Sequence, residues 1–177
     1  MPASLHERLR GEASRRGLSL NALCVERLGR ETGPGAVRSE ATASVETAVR
    51  QWHSDLIGVV LFGSTARGEA REWSDIDLLF AMDDCVPITR ELYRRWDAIA
   101  EANSRVSPHF AHPPADRSSP GSLWLEVSMD GIVLYERGGQ VTRLLSGLRR
   151  LIATGKVECR EAYGHRYWIL PGSPGDA

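Results

Sequence analysis

Two carboxylates stand two residues apart, Asp75 and Asp77 in Ser74-Asp75-Ile76-Asp77-Leu78, and a Gly63-Ser64 pair precedes the first of them by 12 positions. Side chains of an extended strand alternate between faces, so these two carboxylates would point the same way. Their Cα atoms would lie roughly 6–7 Å apart. Like charges that converge need a cation between them. Mg2+ is the expected ion, because it is hard, takes oxygen ligands and is usually held by one or two carboxylates together with substrate phosphates. Gly63 lets the backbone come close to a ligand. A strand that turns there into a helix start would aim free backbone N–H groups at phosphate oxygens, and the Ser64 hydroxyl would add a donor. A phosphate cradle beside a carboxylate pair describes metal-assisted nucleotidyl transfer.

Such a site needs buried strands to hold it. Leu56 to Phe62 is a nearly continuous apolar run and predicts a buried strand ending at the Gly63 turn. Asp75 to Met82 predicts a second strand, with Ile76 and Leu78 facing the core. Helices are predicted over Ser44 to Asp55 (Val45, Ala48, Val49 and Trp52 on one face) and over Ile88 to Ser104 (Leu92, Trp96, Ile99 and Ala100 inward). Val106 to Ala111 predicts a third strand, followed by a proline-broken loop from His112 to Gly121. Leu123 to Val127 fits either helix or strand. Ile132 to Tyr135, opened by Asp130-Gly131, predicts another strand. The expected class is α/β (α+β), a small mixed sheet flanked by helices.

The joint pattern of Gly63-Ser64-Thr65-Ala66-Arg67-Gly68 and Ser74-Asp75-Ile76-Asp77-Leu78 resembles the polymerase-β-like nucleotidyltransferases. It looks most like the minimal branch found in prokaryotic toxin–antitoxin systems, and the resemblance covers about Val45 to Tyr135. It implies that Gly63 and Ser64 hold the triphosphate of ATP or another NTP and that Asp75 and Asp77 hold Mg2+ and are catalytic. Arg67 and Ser74 would join the nucleotide site; Gly68 and Arg71 also fit the branch. Some members of that branch move AMP from ATP onto a tyrosine of a partner toxin. A protein partner or acceptor is therefore expected. Such enzymes usually carry a third acid on a later strand. Here that strand reads Arg105-Val106-Ser107-Pro108-His109-Phe110-Ala111 and has none. His109 takes a plausible place but is a poor Mg2+ ligand, and Glu126 is the nearest acidic alternative. His109 and His112 also read as a loose metal pair, against satisfied or solvated histidines. Without the third acid, the alternative function is a regulator of this fold that binds a partner or DNA without turnover.

The remaining sequence frames this domain. Residues 1–31 read as a helical segment, with Leu5, Leu9 and Ala13 at helical spacing, Gly17 as a stop and Ser19 as an N-cap for Leu20, Leu23 and Leu28. The segment resembles the helices of ribbon–helix–helix antitoxins. Only Met1-Pro2-Ala3 stands where their DNA-reading strand would be, so DNA contact and a homodimer are open alternatives to protein contact. Residues 32–43, with Gly33-Pro34-Gly35, read as a linker. The catalytic domain is expected over 44–138. Residues 139–170 read as a helix from about Gln140 to Ala153 and a hairpin, Lys156 to Arg160 with His165 to Leu170, turned at Tyr163-Gly164. That part carries seven Lys and Arg against two Glu from 137 to 170. It resembles half a winged helix or else packs its aromatics, Tyr167 and Trp168, on the domain. Residues 171–177 read as a loose tail.

A net charge of -1 argues against wholesale binding to nucleic acid or membrane. Three cysteines, Cys24, Cys85 and Cys159, make neither a disulfide framework nor a zinc site. With no apolar run of membrane-spanning length and no apolar leader, a cytoplasmic protein without membrane contact is expected.

Overall fold

The computed structural model describes residues 35–71, 74–99, 105–116, 119–162 and 165–169. The helix pair expected in residues 1–31, the turn at Tyr163-Gly164 and the tail 171–177 lie outside them. The chain divides after Ser39 into two units, Met1–Ser39 and Glu40–Ala177. The second holds the sheet.

Element order is α1 (Gly35–Trp52), β1 (Leu56–Phe62), α2 (Gly63–Arg67), β2 (Ile76–Met82), α3 (Arg90–Ile99), β3 (Val106–Ala111), α4 (Ser122–Asp130), β4 (Ile132–Glu136), α5 (Gln140–Ala153), β5 (Glu158–Ala162) and β6 (His165–Ile169). Four strands form one mixed sheet in the order β3-β2-β1-β4. β1 runs antiparallel to β2 and β4, and β2 runs parallel to β3. The fold is the expected small mixed α/β sheet flanked by helices.

Several sequence expectations change, and β2 opens at Ile76, so Asp75 precedes the strand it was expected to start. α1 starts at Gly35 rather than near Ser44, so residues 35–43 of the expected linker are helical. Beyond the Gly33-Pro34-Gly35 stretch the residues are mostly Ala, Arg and Glu, which favour helix. α3 is shorter at its start, opening at Arg90, and residues 100–104 of the expected span lie outside the description. Leu123 to Val127, ambiguous between two periods, lies in helix α4.

The sheet is covered on both faces, which is why β1 and β2 read as apolar runs rather than alternating ones. On one face Phe80 and Phe110 stack with ring centroids 5.1 Å apart, and Trp52 of α1 and Trp96 of α3 close over them, stacked 6.1 Å from each other. On the other face Val60, Phe62, Leu79 and Ala81 pack against Trp124 and Val127 of α4 and Val141, Leu144, Leu145 and Leu148 of α5. β6 lies against α4, and Trp168 is half-buried. The expected hairpin forms, but its first arm is Glu158–Ala162, two residues later than Lys156 to Arg160, while the second is His165–Ile169.

Phe80 is fully buried at the centre of the aromatic layer. Phe80→Ala is expected to lower the unfolding free energy by about 3–5 kcal/mol, measured by urea denaturation. A loss below about 1 kcal/mol would mean that this layer does not hold the sheet.

Candidate active site

The end of β1 delivers the turn and the start of β2 delivers the acids. Phe62, the last residue of β1, pairs with Asp77, and Asp77 pairs on its other side with Ser107 of β3. The central strand crossing therefore puts Gly63 directly over Asp77. Gly63 has φ +72°, and a Cβ built there would overlap the Asp77 carboxylate at Oδ2. The glycine is required twice, for its backbone conformation and for the space it leaves to the acid. α2 follows at once, and no side chain caps its first turn. It closes at Gly68, whose N–H donates to the Thr65 carbonyl at 3.2 Å, while the Glu69 N–H donates to the Ser64 carbonyl at 2.9 Å.

Asp77 sits on the strand face shared with Leu79 and Ala81, its side chain 28% exposed. Asp75 immediately precedes the strand and is exposed. Its backbone is held from two sides. Thr65, buried in α2, donates its hydroxyl to the Asp75 carbonyl at 3.3 Å. Arg105, just before β3, donates from Nη2 to the Ser74 carbonyl at 3.1 Å and accepts the Ile76 N–H on its own carbonyl at 2.7 Å. Arg105 Nη1 also lies 4.0 Å from Glu40 Oε2 of α1. Neither Thr65 nor Arg105 was marked by the sequence as part of the site. Thr65 occupies the third position of the Gly-Ser segment, where its role depends on the loop returning 10 residues later.

Thr65→Val keeps the volume and deletes the donor. We expect about 1 kcal/mol of lost stability and weaker binding of a non-hydrolysable ATP analogue, with Thr65→Ser restoring both. Equal binding by the Val and Ser variants would remove Thr65 from the positioning of Asp75.

The other expected residues divide. Ser74 Oγ accepts the Arg71 N–H at 2.8 Å and shapes the loop before Asp75. Arg67 pairs with Glu69, Nε to Oε2 at 2.8 Å. His109 reaches Asp77: its Nε2 lies 3.5 Å from Asp77 Oδ1 and 3.4 Å from Ser107 Oγ. Glu126 lies on α4, a helix whose buried residues are Trp124, Leu125, Val127 and Ser128. At 100° per residue Glu126 falls opposite Trp124 and Ser128, on the side turned from the core. His112 is a structural residue: Nε2 is 2.7 Å from the Val86 carbonyl, and its own carbonyl accepts Trp124 Nε1 at 2.8 Å. Among the described residues no three His, Cys, Asp or Glu side chains converge as a metal cage. The donors present, two carboxylates with a cradle that any Cβ would fill, fit Mg2+.

Away from this end, hydrogen bonds from Cys85 hold the Asp83 carboxyl below its ordinary value, and the same contact pushes the Cys85 thiol up. A raised thiol pKa leaves less thiolate, so Cys85 is a poor nucleophile. Among the described residues, no helix is long and apolar enough to cross a membrane.

Residues 43–116 match the nucleotidyltransferase domain family. Residues 43–116 thus read as a nucleotidyltransferase domain. The match takes in Gly63, Ser64, Asp75, Asp77 and His109. The domain is that of an enzyme class, one that transfers nucleotidyl groups. No curated relative matches the chain. Similar solved structures include a toxin–antitoxin with AMP-PNP (19% identity, 65% of this chain and 89% of that one, TM-score 0.46). A mutant of the toxin–antitoxin pair MntA–HpeT is similar too (15% identity, 65% and 89%, TM-score 0.46). A Sulfolobus solfataricus protein assigned to the nucleotidyltransferases shares 21% identity over 59% of this chain and 90% of its own, with a TM-score of 0.40.

Proposed function

We propose that the nucleotidyltransferase domain moves a nucleoside monophosphate, AMP from ATP, to a hydroxyl on a partner protein, in a toxin–antitoxin-like setting. The observation that carries the reading is Asp77 fixed beneath the Gly63 turn, one strand from His109 and two residues beyond the clamped Asp75. Gly63 and Ser64 take the triphosphate, and Arg67 offsets its charge. Asp75 and Asp77 would hold Mg2+, which would supply charge neutralisation as pyrophosphate leaves. Thr65 and Arg105 keep the Asp75 backbone fixed, so the carboxylates need no rearrangement during transfer. The acceptor hydroxyl attacks the α-phosphorus, the bond to the β-phosphate oxygen breaks, and the acceptor proton passes to solvent or a nearby base.

A second reading is a regulator that binds a partner without turnover. It is favoured by β3, where Ser107 and His109 stand beside the pair and no acid does. One experiment separates the two. The full chain is incubated with α-labelled NTPs, Mg2+ and cell lysate. Transfer predicts label on protein, strongest with ATP, and equimolar pyrophosphate. Tight partner capture with neither label nor pyrophosphate would establish the regulator instead.

A further inference from the structure

The geometry points to His109 as a nitrogen ligand of the same metal seat, tuning it toward a first-row transition ion such as Mn2+ over Mg2+. This rests on the metal-assisted reading above and concerns what the site selects.

Parallel pairing of β2 with β3 sets Ser107 opposite Asp77 and His109 opposite Leu79, so both side chains share the Asp77 face. The imidazole stands edge-on to Phe62, ring centroids 5.1 Å apart at 70°. That contact fixes the ring with Nε2 aimed at Asp77 Oδ1. Their 3.5 Å separation is too long for a good hydrogen bond. Neighbouring ligands at right angles on a six-coordinate ion, with bonds of about 2.1–2.2 Å, lie roughly 3.0–3.1 Å apart, so a closing of about 0.5 Å seats both groups on one ion. On the opposite side Oδ2 of Asp77 packs close beneath the Gly63 backbone, where only the absence of a Cβ leaves it room.

One imidazole among oxygen donors changes which ion fits. Mg2+ takes oxygen and discriminates against nitrogen. Mn2+ accepts carboxylate, phosphate and imidazole together, and affinity for nitrogen rises along the first-row series. Asp75 is exposed and the described side chains form no three-residue cage. The remaining positions therefore belong to triphosphate oxygens and water, for which Mn2+ is as suitable as Mg2+.

The test uses the full chain with Mn2+ and a non-hydrolysable ATP analogue, read by pulsed electron paramagnetic resonance. Nitrogen modulation from a coordinated imidazole is expected in the wild type. It should change when the protein carries 15N-histidine and vanish in His109→Gln, in which Mn2+ still binds. Calorimetric titration should show the Mn2+ over Mg2+ preference falling about tenfold or more in His109→Asp. Mn2+ lost from Asp77→Asn yet showing no histidine nitrogen in the wild type would overturn the proposal. So would a wild type that fails to bind Mn2+ with nucleotide, or one that ranks the ions as His109→Asp does. Nitrogen coupling without any nucleotidyl transfer would keep this ligand and refute the transfer reading instead.

Discussion

Asp77→Asn is expected to abolish transfer, with activity falling by roughly three orders of magnitude, the upper scale seen when one transition-state electrostatic group is removed. The exchange preserves shape and deletes the charge. The backbone of Asp77 is held on both sides, by Phe62 of β1 and Ser107 of β3, so the strand keeps its register without the carboxylate. The side chain is 28% exposed and faces His109 at 3.5 Å, so no deeply buried pair is broken. Stability is expected to change by less than about 1 kcal/mol, as for a partly exposed ion pair. Asp75→Asn should act the same way with still less effect on folding, because Asp75 is exposed and its carbonyl, held by Thr65, is unchanged. Label transfer and circular dichroism on both variants decide the matter. If both variants transfer as well as the wild type, the two carboxylates do not hold the metal.

The contrast between what the sequence disclosed and what it concealed follows contact distance along the chain. β1 and β3 could be bounded from sequence because each strand carries its own apolar signal, and the β1 and β3 limits, Leu56–Phe62 and Val106–Ala111, match the observed ones. The Gly63 turn was legible for the same local reason, whereas the strand expected from Asp75 begins at Ile76. α1 was misjudged because Gly33-Pro34-Gly35 gives a strong local break while the Ala- and Arg-containing stretch beyond it has only a weak apolar stripe. α4 was undecidable because Leu123-Trp124-Leu125-Glu126-Val127 satisfies both periods over so short a run. The contacts that finish the site lie beyond local patterns. Arg105 reaches the Ser74 carbonyl across 31 residues, and His109 meets Asp77 only through the parallel pairing of β2 with β3. A parallel pair needs a crossover, here through α3, and its register is not written in either strand alone.

Gly63→Ala should damage stability and activity together, and the two losses can be separated. At φ +72° an alanine occupies the left-handed region, a cost of roughly 1–2 kcal/mol. The added methyl would also overlap Oδ2 of Asp77, with the carboxyl carbon only 3.1 Å away. The acid must then rotate from the position where it faces His109. Gly155 supplies the control. It has φ +68°, and a Cβ there meets nothing within 4 Å. Gly155→Ala should therefore show a comparable backbone loss, about 1–2 kcal/mol in urea denaturation, with transfer close to wild type. Gly63→Ala should show that loss plus at least a roughly 100-fold drop in transfer, the scale on which small displacements of reacting groups are felt. Equal activity in the two alanine variants would mean that Asp77 tolerates the methyl group. The space above its carboxylate would then not be what Gly63 provides, and the turn would matter for its backbone path alone.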